Sequence, residues 1–295
     1  MNESPAYVET PAQAQVVSAD GPRPFVTHVR YRLADGRLLD WASRRHRKRP
    51  GALGRWIAVL FMIGSACFVA GSMAGYSTLV GARADAVTYF VGSIFFTSAA
   101  YLQYVECISS DRRALHEAGR RRRLLAIEVR RIDWWATVVQ LLGTLFFNVT
   151  TFTALDAHLT AKQSDLVVWT PDALGSICFL VASQLAYAEA GHAWVSWRPS
   201  DAGWRIAALN MLGSIFFGIS AIAGYLVPGT GAVIDLAASN WNTSLGAACF
   251  LACAVATLRT GRTWKIARFR DKLDEVEEVA EEVVVQDVEE IEEIL

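Results

Sequence analysis

The chain has 295 residues, 53% of them hydrophobic, and its net charge of −1 hides a strong segregation of sign. Residues 271–295 hold 12 Asp and Glu against the single cation Lys272, so the remainder of the chain is basic. Six uncharged stretches lie between the charges, at Trp56–Ala82, Ala86–Val105, Trp134–Leu155, Ala173–Ala188, Ile206–Ile234 and Leu236–Leu258. A soluble fold cannot hide this much continuous apolar sequence, and the runs lack the alternation that a membrane β-barrel requires.

A bilayer core of ~30 Å is crossed by roughly 20 apolar helical residues. Five stretches reach that length, and the fourth does so with Asp172 or Glu189 among the headgroups. The expectation is an all-α integral membrane protein of six transmembrane helices. Lys and Arg place it: 26 fall before run one, between two and three, between four and five, and after six, whereas the opposite side has only Arg83 and Lys162. That asymmetry predicts both termini in the cytoplasm of a multi-pass protein of the cell membrane.

In chain order, 1–54 reads as a cytoplasmic region, disordered over its Pro-containing first 24 residues. A strand over 25–32 follows, entering a turn at Asp35-Gly36, with 37–41 as a weaker partner segment. Arg44, Arg45, Arg47, Lys48 and Arg49 stand immediately before the membrane and form a candidate contact for anionic lipid headgroups, or a topology signal alone. No recognition module surrounds them, which argues against nucleic acid. Residues 55–108 form a first helical hairpin, turned at Val80–Asp85 with Gly81 as its breaker. The loop 109–133 reads as an interfacial helix among headgroups, its centre the second basic cluster Arg120, Arg121, Arg122 and Arg123. A second hairpin occupies 134–190, its second helix expected to start at Thr170-Pro171-Asp172, where a cap, a first-turn Pro and an acid coincide. A cytoplasmic loop over 191–205 leads to a third hairpin at 206–258. Residues 259–295 pass from basic to acidic, with apolar residues from Leu273 to Leu295 at helical spacing. This tail is expected either to dock on the protein or a partner chain, or to stay solvated.

One pattern recurs in all six runs: Gly, a small residue, two apolar residues and Phe. The glycines are Gly64, Gly92, Gly143, Gly175, Gly213 and Gly246, and the phenylalanines are Phe68, Phe96, Phe147, Phe179, Phe217 and Phe250. Small residues let helix backbones approach closely in lipid, where packing drives association. The glycines are therefore candidate packing positions and the rings a candidate aromatic layer. Counted at 1.5 Å per residue from Trp56, Trp134 and Trp204 in the odd helices and from Ala86, Pro171 and Trp241 in the even ones, the rings share one depth in the outer half of the bundle. Such a layer suits a packed core or an aromatic gate. Gly71-Ser72-Met73-Ala74-Gly75 adds a GxxxG sequence. Trp56, Trp134, Trp135, Trp169, Trp204 and Trp241, with Tyr76, Tyr104, Tyr187 and Tyr225 twelve residues after a motif Gly, are expected at the interfaces as an aromatic belt.

Ionisable groups are missing from the expected mid-membrane positions, where Gln103, Gln140, Asn148, Gln184 and Asn210 are the polar residues. This disfavours a proton-coupled pump. Glu189 and His192 have the Glu-x-x-His spacing of carboxylate-bridged metal bundles, and with Glu106 they form a remote candidate metal site, incomplete by that standard. No catalytic or cofactor motif is present, and no cofactor is expected. The five Cys avoid the outer loops, so no disulfide framework is expected.

The runs Ala173-Leu174-Gly175-Ser176-Ile177-Cys178-Phe179-Leu180 and Asn210-Met211-Leu212-Gly213-Ser214-Ile215-Phe216-Phe217 resemble the YrhK-like domain family. These are two-helix membrane domains with a Leu-Gly-Ser-x-x-Phe core. The likeness is densest over 170–258, and the resemblance implies a membrane protein with no active site to transfer. Helix six departs from it at Ala247. Together these features favour a non-enzymatic, structural membrane protein over a facilitator for a small neutral solute or a metal-dependent membrane enzyme.

Overall fold

A computed structural model describes residues 15–32, 36, 38–43, 52–109, 124–129, 131–156, 158–227 and 230–259. The chain is mostly helical, with a small antiparallel sheet at its start. Strands β1 (Gln15–Asp20), β2 (His28–Arg32) and β3 (Leu38–Ala42) pair in the order β1-β2-β3. The weaker partner segment does pair, with Val29 opposite Trp41 and Arg32 opposite Leu38. The expectation of disorder through residue 24 is corrected at β1, whose backbone finds its partners along β2. Residues 1–14 lie outside the described residues. Val29 and Tyr31 are both 1% exposed, which gives the sheet one buried face. On its exposed side Arg30 donates to Asp40 at 2.8 Å, and that bond raises the guanidinium further above its ordinary value.

The helices are α1 (Ala52–Ser72), the short α2 (Tyr76–Val80), α3 (Ala82–Ser109), α4 (Ile132–Thr153), α5 (Lys162–Gly191), α6 (Ala202–Ala223) and α7 (Leu236–Arg259). Five of them, α1, α4, α5, α6 and α7, are long and apolar enough to cross a membrane. With 28 residues α3 has the length, but its Tyr, Thr, Ser and Gln side chains make it less apolar than these.

Three helix boundaries differ from expectation. First, α1 stops at Ser72 and the chain turns through Gly75, whose φ of +86° favours glycine. The GxxxG stretch is therefore a helix end, and Gly71 alone packs, against the Tyr89 ring. Second, residues 124–128 are not helical. Aromatic side chains hold this backbone open: the Tyr104 hydroxyl donates to the Ala126 carbonyl and accepts from its N–H, and the Trp134 indole donates to the same carbonyl.

Third, α5 begins eight residues before Thr170, so Thr170-Pro171-Asp172 lies inside a helix rather than at its start. A π-helical turn over Asp165–Trp169 precedes the proline. Proline has no N–H and leaves carbonyls of the preceding turn short of donors. Here α4 supplies them: Thr153 Oγ1 donates to Val167 O at 2.7 Å and Thr150 Oγ1 to Val168 O at 3.0 Å. Tertiary donors thus override a local start signal.

Candidate functional site

The motif residues of neighbouring helices fit each other reciprocally. A Cβ built on Gly64 would lie 3.0 Å from the Phe96 ring, and one on Gly92 would lie 3.0 Å from the Phe68 ring. In α4 and α5, a Cβ on Gly143 would meet Phe179 at 2.8 Å and one on Gly175 would meet Phe147 at 3.2 Å. In α6 and α7, Gly213 would meet Phe250 at 2.8 Å and Gly246 would meet Phe217 at 2.7 Å. Each helix of a pair offers a Gly hollow to its neighbour's Phe and receives its own Phe in the neighbour's hollow. The Gly92, Gly143 and Gly213 carbonyls lie within 3.1 Å of the Cβ positions opposite, so the backbones themselves are in close approach.

All six rings converge in one buried cluster with Ala247. Phe68, Phe147 and Phe217 are mutual neighbours, with centroids 6.4, 6.2 and 5.8 Å apart. Within the pairs the separations are 5.3, 5.0 and 5.4 Å. Phe250 closes the other side against Phe96 at 6.2 Å and Phe179 at 5.8 Å. These distances suit favourable ring packing, worth ~0.5–1.5 kcal/mol per pair beyond area burial. The opposite helix faces are aliphatic. At the position before each motif Gly stand Ile63, Val91, Leu142, Leu174, Leu212 and Leu245, each 38–46% exposed.

Between the pairs, side-chain polar groups make the contacts. Ser93 shares a hydrogen bond with Thr151 at 2.9 Å, Asn148 donates to Thr97 at 2.8 Å and Gln103 donates to Gln140 at 3.0 Å, all joining α3 to α4. Ser183 shares a hydrogen bond with Ser214 at 2.5 Å and accepts one from Asn210 at 2.8 Å, joining α5 to α6. Phe68–Phe217 and Phe96–Phe250 bring the first and third pairs together.

At one end of the bundle an aromatic pair pins each connecting loop. Tyr104 and Trp134 hold Ala126, while Tyr187 donates to Ser196 O and the Trp204 indole donates to Ser196 Oγ at 3.1 Å. Trp134 and Trp204, expected as belt residues, are buried for this reason, whereas Trp56 and Trp241 are exposed. Beside the first loop lies an ionic cluster that the sequence reading missed. Arg131 donates to both Asp133 oxygens at 2.9 and 2.6 Å and to Glu128 at 2.5 Å, with Arg131 and Asp133 almost wholly buried. The Arg-x-Asp spacing before a predicted helix is its one sequence signal.

The remote metal set does not assemble. Glu189 is buried, Glu106 is half-buried, and His192 caps α5 in the left-handed region at φ 54°, its Nδ1 sharing a 2.5 Å hydrogen bond with Thr27 of the sheet. Among the described residues no three His, Cys, Asp or Glu side chains come together as metal ligands. His192 belongs instead to the contact between sheet and bundle, which Phe25–Trp194 packing and the Trp194 indole bond to Arg23 O complete. The candidate lipid contacts Arg44, Arg45, Arg47, Lys48, Arg49 and Arg120, Arg121, Arg122 and Arg123 lie outside the described residues, as does the acidic tail. Comparison with protein-family models, with curated proteins and with solved structures finds no match to this chain.

Proposed function

We propose that the chain is a six-span membrane protein of three hairpin repeats, with α3 as the remaining span and both termini cytoplasmic. Its role is structural rather than enzymatic. The basic segments at the cytoplasmic face contact anionic headgroups, and the acidic tail docks beside them. The observation that carries this reading is the inverted dressing of the helices. Gly, Ser and Phe face inward, and a girdle of aliphatic residues, Ile63 to Leu245, faces outward around the whole bundle. An exposed apolar surface of that extent is covered by lipid or a partner. The reciprocal Gly and Phe contacts of the three helix pairs support the repeat, and the resemblance to YrhK-like two-helix domains fits such a unit.

A centre occupied by six rings in contact supports a scaffold rather than a path. The test is solute flux. Proteoliposomes holding the full chain are expected to take up glycerol and urea no faster than protein-free vesicles. Uptake that rises with protein content and falls in Phe147→Trp would sink the structural reading in favour of a facilitator.

A further inference from the structure

The two loops that an aromatic pair pins are built alike. Ala126 and Ser196 each stand eight residues before the Trp that holds them, and each Tyr comes twelve residues after a motif Gly. The residues on either side of the pinned one carry apolar side chains into the open. Leu125 and Ile127 are 80% and 83% exposed, and Val195 and Trp197 are 86% and 81% exposed. Leu124 and Val129, 63% and 52% exposed, enlarge the first pair to four apolar side chains within six residues. A single exposed apolar residue is ordinary, whereas a group of them marks a surface that something covers.

Basic residues adjoin both groups. Leu124 follows Arg120–Arg123 directly in the chain, and Trp197 is followed by the exposed Arg198. A matching occupant therefore combines apolar and acidic side chains. Residues 271–295 have that composition, with a net charge of −11 and apolar residues at helical spacing from Leu273 to Leu295. An anionic leaflet repels such a segment, which leaves its apolar stripe to find protein. Its starting point is near. Cys253 Sγ lies 3.4 Å from Ile206 O, so α7 ends beside the start of α6, at the end of the bundle that carries both loops. The 13 residues between Arg259 and Leu273 span up to ~43 Å when extended. Helices α3, α4, α5 and α6 pack in succession, which sets the loops about two helix spacings, or ~16–20 Å, apart. A helix over Leu273–Leu295 is ~34 Å long and reaches across both.

We propose that Leu273–Leu295 of this chain docks as an amphipathic helix across the two pinned loops. Its apolar stripe covers Leu125, Ile127, Val195 and Trp197, and its carboxylates face Arg198 and the Arg120–Arg123 run. An apolar helix face laid on an apolar surface, with charges at the rim, is a common mode of helix recognition. This docking rests on the reading that both termini are cytoplasmic, and it gives the tail a surface and an orientation.

The test is cysteine accessibility in the full chain, one chain per nanodisc of phosphatidylcholine. Ile127→Cys and Val195→Cys would be labelled with a sulfonated, water-soluble maleimide, counting label above that of the unsubstituted chain. Adding Val276→Ser, Val284→Ser and Ile291→Ser breaks the stripe and is expected to speed labelling at both positions at least fivefold. Glu278→Lys, Glu281→Lys and Glu282→Lys together are expected to speed it severalfold, because they reverse the charge that faces the arginines. Labelling at Ser18→Cys, on the exposed β1, is expected to stay unchanged in every background. Slow labelling that persists when the stripe is broken overturns the docking and gives the loops to the leaflet. Fast labelling in every background overturns it too, leaving the loops open. Solute flux is untouched by either result and bears on the scaffold reading alone, so the two failures are distinguishable.

Discussion

The clasps within helix pairs and the polar contacts between them are made by the same helices with opposite logic. A clasp is self-complementary: Gly143 receives Phe179 and Gly175 receives Phe147, so one five-residue phrase serves both sides. The seams are not. Joining α3 to α4 takes hydroxyls and two amide-bearing pairs, whereas α5 and α6 meet through Ser183, Ser214 and Asn210. Repetition is available to a contact whose two halves are alike. A contact between unlike faces is free to differ each time.

The one-off contacts include the strongest single lever. Replacing Arg131 by Met takes from Asp133, 1% exposed, the guanidinium that meets both its carboxylate oxygens. Breaking a buried pair from one side costs ~3–5 kcal/mol, and the unfolding equilibrium in detergent should show a loss of that size. Asp133→Asn with Arg131→Met together should recover part of it, since the buried charge that Arg131 met is then gone. A loss under ~1 kcal/mol in the single variant would mean that the pair is already solvated.

The clasps should come next. Gly143→Ala puts a methyl group 2.8 Å from the Phe179 ring and 2.9 Å from Cys178 Cβ, inside a packed core. Overpacking of that kind costs about 1–3 kcal/mol. Gly218→Ala, on the seam side of α6, meets only the end of the Leu180 side chain at 3.2 Å and should lose less than half as much. Equal losses at the two positions would erase the distinction between clasp and seam. Within a seam, Asn148→Ala removes the donor to Thr97, and interhelical bonds of this kind average ~0.6 kcal/mol in membrane proteins.

What was legible from the residues follows the same division. The phrase Gly-Ser-x-x-Phe announced itself by recurrence, and its glycines and rings meet as neighbours because backbone approach and ring size are local properties. The length and polarity of the runs likewise gave the helices that are apolar enough to cross a membrane. Contacts that depend on a distant partner were not legible. Thr150 and Thr153 supply the donors that let Pro171 sit inside α5, so a local start signal misplaced both the helix end and Asp172. Tyr104 and Trp134 hold Ala126 in a non-helical stretch where the loop was expected to be helical. The Arg131 cluster needed Cys107 O of α3 and Glu128 of the non-helical stretch before α4 brought to one point.

The smallest effect is also the sharpest comparison, because it sets one motif position against itself. The residue after the motif Gly is Ser65 in α1 and Ser214 in α6. Ser214 shares a 2.5 Å bond with Ser183 across the seam and donates to Asn210 O at 3.1 Å. Ser65 is wholly buried, and its hydroxyl has no partner among the described residues. A buried hydroxyl that finds a partner contributes about 0.5–1.5 kcal/mol net, while one left unpaired carries its desolvation cost without return. Ser214→Ala is therefore expected to destabilise the bundle by ~1 kcal/mol, and Ser65→Ala to leave it unchanged or more stable. Both substitutions keep the small volume that the clasp needs, so packing cancels between them. If unfolding in detergent shows the same loss for both, Ser65 has found an acceptor in its own helix.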